Sequence, residues 1–377
     1  MKKVLICYHS TAYGGIEKQI LDLISGLKND FEFFVACPEG PLLKEYLKHI
    51  DKDHWINAYP KFEMDLKYIL EISNIVKTKQ IEVVLGHELL TGCQSMLGAL
   101  LGGADKRIYH VHTSFLEWKH SWYKKLVSFA PNFMANYLTG NYVATDVLVL
   151  TDKIKDLRIN KEKITKEKIT QIYNGIDLGA LHFSQDERNR IKSKYKIPAS
   201  SYVIGTVGRF TEEKNQKLLI DAFEDLLKVN THLDIYLFLA GGGKLLDSLK
   251  DYADKKDLSK KIIFTDVFEE GDRAALYSVL DIFIMPSFAE GFGIALIEAM
   301  ANGRAIVASD LPVLKEVGGD SVLFFDVNKK ADLVIILDRL ISNPSEAKSL
   351  SKKAIERANK FSMQIFLDSY KNLFNSN

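Results

Sequence analysis

The sequence predicts an α/β protein of two Rossmann-like, doubly wound domains, each with its own parallel sheet. Three observations carry this. Apolar runs of strand length alternate with helix-length segments, the pattern of βαβ units. The alternation runs through the chain twice, with a polar stretch, Ser184–Ser193, between the two passes. At 377 residues the chain exceeds what one ordinary hydrophobic core accommodates.

In the first pass, Val4–Tyr8 reads as a strand. Gly14-Gly15 then opens a helix over Ile16–Leu27, with Ile16, Ile20, Leu23, Ile24 and Leu27 at helical spacing. Phe33–Cys37, Val83–Leu85, Ile108–Val111 and Asp146–Leu150 read as further strands. In the second pass the strands are Tyr202–Val207, Asp234–Ala240, Lys261–Val267, Asp281–Met285, Ala305–Ser309 and Ser321–Phe325. Phe361, Ile365, Phe366 and Tyr370 mark a last helix over Phe361–Phe374. The domains are drawn as 1–183 with the helix 361–377, and 184–360.

Composition narrows the function classes. A hydrophobic fraction of 47% and a charged fraction of 26% are those of a soluble globular protein. A net charge of +1 gives no global drive toward nucleic acid or membrane, and no nucleic-acid partner is expected. Cys7, Cys37 and Cys93 are few and scattered, and Cys7 and Cys37 lie in strand-like runs. Buried free thiols and a reducing, cytoplasmic compartment follow. The apolar run after Met1 is too short for a signal peptide, and no stretch approaches the roughly 20 residues of a membrane-spanning helix.

One stretch organises the chain. Glu290-Gly291-Phe292-Gly293-Ile294-Ala295-Leu296-Ile297-Glu298 falls where the strand Asp281–Met285 ends and a helix over Ile294–Ala301 begins. Such a junction offers free backbone N–H groups and the positive end of a helix dipole, an environment suited to phosphate. Gly291 and Gly293 permit close approach of a ligand to the backbone. Structural glycines and dipole-pairing glutamates also occur at ordinary α/β junctions, so the order of the other features decides. These are Gly14-Gly15-Ile16-Glu17, His112, Asn174-Gly175-Ile176-Asp177, Gly208-Arg209-Phe210-Thr211-Glu212-Glu213-Lys214-Asn215, Ala240-Gly241-Gly242-Gly243, and Glu298-Ala299-Met300-Ala301-Asn302-Gly303.

In that order the chain resembles glycosyltransferase family 4, retaining enzymes of the GT-B fold, over nearly its whole length. Arg107-Ile108-Tyr109-His110-Val111-His112-Thr113 looks most like the members that build bacterial capsule, exopolysaccharide or lipopolysaccharide. The resemblance implies two facing domains, with the last helix crossing back to the first. It implies a nucleotide-sugar donor, UDP-linked, and a saccharide or lipid-linked saccharide acceptor. The activity implied is a hexosyl- or N-acetylhexosaminyl-transferase without cofactor or metal. Arg209 and Lys214 would hold the donor diphosphate, as a planar fork and a point charge that also stabilise the leaving group. The bland reading pairs them with Glu212 or Glu213. Glu298 would accept from the ribose hydroxyls, and Glu290 would meet the donor sugar near the reaction centre. Backbone groups at Gly291, Phe292, Gly293 and Ile294 would meet sugar or phosphate, and Gly14 and Gly15 would close over the phosphates. His112 would stand beside the transferred sugar on the acceptor side. Its rival, His110, is assigned to the opposite face of the strand, while His9 and His87 also lie at strand ends, so a histidine cluster is expected. Front-face attack, with the leaving phosphate taking the acceptor proton, is the step generally described for the family.

The sequence departs from the family pattern at Asp266-Val267-Phe268, where a Gly is usual, at Gly303-Arg304-Ala305, and in Ser10–Tyr13, which has no extra glycine. Asp51-Lys52-Asp53 resembles a metal-binding Asp-x-Asp but lacks its context. The tandem copies of Lys-Glu-Lys-Ile-Thr at Lys161–Thr165 and Lys166–Thr170 read as a solvated duplication without function. In the aromatic segment Phe115–Tyr142, Trp118 and Trp122 share a stripe flanked by Lys124 and Lys125, which suits peripheral membrane contact or an amphiphilic acceptor as well as core packing. Two alternatives stand beside transfer: a nucleotide-sugar epimerase of the same fold, and a catalytically silent scaffold for glycan assembly.

Overall fold

The computed structural model describes residues 1–10, 14–40, 43–112, 132–268 and 270–376. It divides into two compact units, Met1–Gly175 with Gln364–Asn377, and Ile176–Met363.

The first unit is a seven-stranded parallel sheet. Its strands are β1 (Lys2–Cys7), β2 (Phe31–Ala36), β3 (Trp55–Ile56), β4 (Val83–His87), β5 (Lys106–His110), β6 (Asp146–Val149) and β7 (Ile169–Gln171), in the order β3-β2-β1-β4-β5-β6-β7. Central strands of a covered parallel sheet read as continuous apolar runs, and Val4, Leu5, Ile6 and Cys7 are fully buried. The helix Gly15–Leu27 turns the predicted Ile20, Leu23, Ile24 and Leu27 inward. β3 and β7, of two and three residues, are too short for a period to announce them.

The second unit is a six-stranded parallel sheet of β8 (Tyr202–Val207), β9 (Ile235–Ala240), β10 (Ile262–Phe264), β11 (Ile282–Met285), β12 (Ala305–Ser309) and β13 (Leu323–Phe325), in the order β10-β9-β8-β11-β12-β13. β10 stops short of the expected Val267: Asp266 takes a positive φ of 59° and forms an antiparallel bridge to Gly241. Both sheets therefore place two strands, β1 with β4 and β8 with β11, at a topological switch point, where ligands of such sheets bind at the carboxyl ends.

The last helix, Met363–Asn375, belongs to the first unit. Phe374 is fully buried and meets Phe31 edge-on at 5.3 Å, and Lys2 Nζ donates to its carbonyl at 3.2 Å. The division at Gly175 precedes the expected one at 183. Ile176 forms a parallel bridge with Ser362, donating to Phe361 O and accepting from Met363 N, each at 2.9 Å, which ties the segment after Gly175 into the second unit.

The tandem pentapeptide corrects the sequence reading. Glu162, in its first copy, is fully buried and accepts from Arg158 Nη1 at 2.5 Å and Asn136 Nδ2 at 2.9 Å. Arg158 is itself fully buried, with its guanidinium carbon 5.3 Å from the Tyr109 ring centre. A buried cation needs such a partner, so this copy is a core element rather than a solvated repeat. In the second copy Glu167 is exposed and Ile169 begins β7.

Candidate functional site

At the carboxyl ends of β8 and β11 two loops converge. The loop after β8 carries Gly208–Asn215, and its turn Glu212–Lys214 is closed by Asn215 in a left-handed conformation, φ 53°. Phe288 N donates to Glu213 O at 2.8 Å, and Asn215 Nδ2 donates to Pro286 O at 3.3 Å, fastening this loop to the one after β11. The glycine run packs beneath. A Cβ on Gly241 would stand 2.0 Å from Gly208 O, so no other residue fits there.

The two loops bring Lys214 and Glu290 together. Lys214 Nζ donates to Glu290 Oε1 at 2.7 Å, and Ser287 Oγ donates to the same oxygen at 2.7 Å. Glu290 Oε2 accepts from none of the described residues, leaving it open to a hydroxyl donor. The Glu290 side chain is 6% exposed and that of Lys214 25%, so the pair is partly desolvated. Its partner choice differs from the bland expectation, which paired Lys214 with Glu212 or Glu213. Arg209 is exposed, and its carbonyl accepts from Gln216 Nε2 at 2.8 Å. Its guanidinium makes no side-chain hydrogen bond to a described residue and is open to an anion.

Gly293, at φ 93°, caps the helix Ile294–Ala301. Its carbonyl accepts from Leu296 N at 2.9 Å and Ile297 N at 3.3 Å. Phe292 is 4% exposed and packs edge-on against Phe361 at 5.8 Å, so its ring is structural and only its backbone can meet a ligand. Glu298 lies one turn into this helix, 2% exposed. Tyr277 OH donates to its Oε2 at 2.7 Å, and Arg273 Nη1 stands 3.3 Å from that oxygen and 3.4 Å from Oε1. A carboxylate has about four acceptor positions, so orientation by Tyr277 and Arg273 is compatible with contact to a diol. Tyr277 and Arg273 were not singled out in the sequence. They follow no motif and meet Glu298 only through the fold.

In the first unit, Gly14 begins the helix Gly15–Leu27 without a side-chain cap. Glu17, 5% exposed, folds back so that its Oε2 would be 2.8 Å from a Cβ on Gly14. The positive end of this helix therefore already faces a carboxylate. Glu88, which caps the helix Leu89–Gly102, has its carboxyl raised by burial and by the nearby Glu17.

His112 lies two residues past β5 and is 6% exposed. It does not stand alone, and the assignment of His110 to the opposite face is wrong. Residues two apart on a strand share a face, and the His110 and His112 ring centres are 3.9 Å apart. His87, the last residue of β4, places Nδ1 2.9 Å from His112 Nε2. Burial pushes His112 down to about 3, and burial followed by repulsion from its neighbours holds His87 and His110 well below the usual imidazole range. All three rings are thus neutral at pH 7. The expected cluster forms without His9, which is exposed and stacks on Tyr59 at 5.1 Å.

Trp118, Trp122, Lys124 and Lys125 lie outside the described residues. Asp51, Asp53 and His54 meet at the surface, where Lys79 pairs with Asp53 at 3.4 Å and His54 stacks on Phe34 at 4.0 Å. Among the described residues no helix is long and apolar enough to cross a membrane.

Comparison with known proteins adds to this geometry. Residues 13–180 match the family described as Glycosyltransferase Family 4, and residues 187–357 match Glycosyl transferases group 1. The chain is 22% identical over 303 residues to the UDP-Gal:alpha-D-GlcNAc-diphosphoundecaprenol alpha-1,3-galactosyltransferase of Escherichia coli, covering 79% of this chain and 76% of that protein. It is 22% identical to the capsular polysaccharide biosynthesis glycosyltransferase CapM of Staphylococcus aureus, covering 93% and 91%. Other relatives are matched over little more than half their length, 57% and 55% in two cases. Anabaena Alr3699/HepE, solved in complex with UDP and glucose, superposes with a TM-score of 0.82 over 99% of each chain at 17% identity, a likeness of fold.

Proposed function

This chain belongs to the glycosyltransferases, with a family 4 domain at 13–180 and a group 1 domain at 187–357, and from that premise we propose that it moves a sugar from a UDP-sugar to a lipid-linked saccharide in bacterial surface polysaccharide assembly. The observation that carries the reading is the Lys214–Glu290–Ser287 group at the switch point of the second sheet, beside the exposed Arg209. Arg209 and Lys214 neutralise the donor diphosphate, Glu298 takes the ribose hydroxyls, and Glu290 Oε2 takes a hydroxyl of the donor sugar. The two side-chain cations supply the charge that a divalent metal supplies in other transferases, so transfer runs without a metal at the diphosphate.

The step retains configuration. An acceptor hydroxyl attacks the anomeric carbon on the face from which UDP leaves, the C1–O bond to phosphate breaks, and a phosphate oxygen takes the acceptor proton. His112, neutral and buried, stands on the acceptor side as a hydrogen-bonding group. The names of the relatives, a galactosyltransferase and a capsule glycosyltransferase, favour transfer over epimerisation or a silent scaffold. Peripheral contact with the membrane fits a lipid-linked acceptor. Phe62, Met64, Leu66 and Leu70, 60%, 63%, 65% and 63% exposed, give the first unit apolar surface for it.

Calorimetric titration with UDP, GDP and ADP is the test. One nucleotide should bind, UDP by this reading, and Glu298→Gln should weaken it by about tenfold. Unchanged affinity in Glu298→Gln removes the ribose role, and preference for GDP or ADP replaces the donor. NMR of the glycoside product then reads the anomeric configuration, and inversion would refute the front-face step.

A further inference from the structure

The histidine trio of the first unit has a geometry that acceptor binding does not need. His87 ends β4, His110 ends the neighbouring β5, and His112 follows two residues later. Their exposures are 2%, 1% and 6%. His87 Nε2 and both ring nitrogens of His110 are buried and have no hydrogen-bond partner among the described residues. One ring nitrogen from each residue lies within 4.8 Å of the other two. Buried polar atoms are normally paired, and an occupant that takes one nitrogen from each ring would satisfy one on His87 and one on His110.

We propose that His87, His110 and His112 form a binding site for a divalent d-block cation of borderline softness, Zn²⁺ or Co²⁺. Three imidazoles with one position left for water are a common zinc donor set, and hard cations such as Mg²⁺ and Ca²⁺ select oxygen instead. The geometry is close to what the ion requires. At a Zn–N distance of about 2.0–2.1 Å, two imidazoles in tetrahedral positions hold their ring centres roughly 5 Å apart. The centres are 5.2 Å apart for His87–His112, 5.0 Å for His87–His110 and 3.9 Å for His110–His112. The two pairs that include His87 have that spacing, and the His110–His112 pair is closer than it by about 1 Å. Neutral imidazole is the ligating form. A bound ion clips β4 to β5 at their carboxyl ends. This site is separate from the diphosphate-binding group in the second unit, and its existence does not depend on the transfer reading.

The test uses the full chain, stripped with a chelator and then incubated with ZnCl₂ or CoCl₂. Calorimetry should give one equivalent of Zn²⁺ with micromolar or tighter affinity. Co²⁺ should produce the intense visible bands of a four-coordinate nitrogen site. His110→Gln should weaken Zn²⁺ by at least about 100-fold, since even second-shell partners of metal ligands are worth 10–100-fold. UDP binding, measured in parallel, should be the same with and without the ion. Absence of saturable Zn²⁺ binding overturns the proposal, as does full affinity retained in His110→Gln. Should that variant fail to fold by circular dichroism, the wild-type Co²⁺ spectrum decides, because the weak bands of a six-coordinate oxygen site would also overturn it. Loss of UDP binding with the metal site intact would count against the proposed function alone.

Discussion

The two units share a scaffold and spend their polar residues differently. Each is a parallel sheet with its switch point between the first strand and the fourth. In the second unit each ionic pair near the strand ends joins a buried carboxylate to a partly exposed cation: Lys214, 25% exposed, with Glu290, and Arg273, 21% exposed, with Glu298. In the first unit they are sealed inside: Arg158, Glu162 and Asn136 form a fully buried network that Tyr109 OH joins at 3.1 Å, and the histidines are nearly as deep. A partly exposed cation stays available to an anion, whereas a fully buried pair is committed to its partners. The same fold thus yields one half suited to gripping an anion and another whose polar groups brace the core.

That contrast breaks if chemistry and stability fail to separate. The largest expected effect is on chemistry. Arg209→Ala combined with Lys214→Ala should lower transfer by about a thousandfold or more, with unchanged tryptophan fluorescence. All three tryptophans, Trp55, Trp118 and Trp122, lie in the first unit, so that signal reports on it alone. Turnover within tenfold of wild type would withdraw the diphosphate role.

Next comes Glu162→Gln, which leaves Arg158 buried beside a neutral amide. Urea unfolding followed by tryptophan fluorescence should show a loss of about 3–5 kcal/mol, with UDP affinity retained. A loss below 1 kcal/mol would mean that the network is not a brace. Tyr277→Phe removes one hydrogen bond to the Glu298 carboxylate. It should cost about 1.5 kcal/mol in UDP binding, roughly tenfold, measured by calorimetry, and an equal fall in first-unit stability would contradict the division of labour. The smallest effect is Glu167→Gln, the matching position in the second pentapeptide copy. It should alter stability by no more than about 0.5 kcal/mol, and a cost near that of Glu162→Gln would erase the distinction between the copies.

Most of the scaffold was legible in the sequence because parallel strands are apolar on both faces and leave unbroken runs. Tyr202–Val207 and Ala305–Ser309 are strands over the very residues expected. What escaped depended on contacts rather than on local pattern. Lys-Glu-Lys-Ile-Thr occurs twice with opposite fates, so nothing inside the pentapeptide distinguishes a buried Glu162 from an exposed Glu167. Arg158, four residues before Glu162, and the more distant Asn136 make the difference, and both lie outside the pentapeptide. In the candidate site, glycine spacing pointed to Glu290 and Glu298, but the partners that aim them, Ser287, Tyr277 and Arg273, belong to no motif. The side-by-side histidines do follow from local pattern, since the two-residue period of a strand puts His110 and His112 on one face.

The last helix has a consequence for how the protein is made. Phe374 fills a place against Phe31 in the first unit, yet the whole second unit lies between them in the chain. A ribosome must therefore synthesise the second unit before the first can close, and the nascent first half waits with an unfilled gap beside Phe31 and Phe33. Synthesis of the helix Met363–Asn375, rather than completion of residue 175, is the event that lets the amino-terminal unit close.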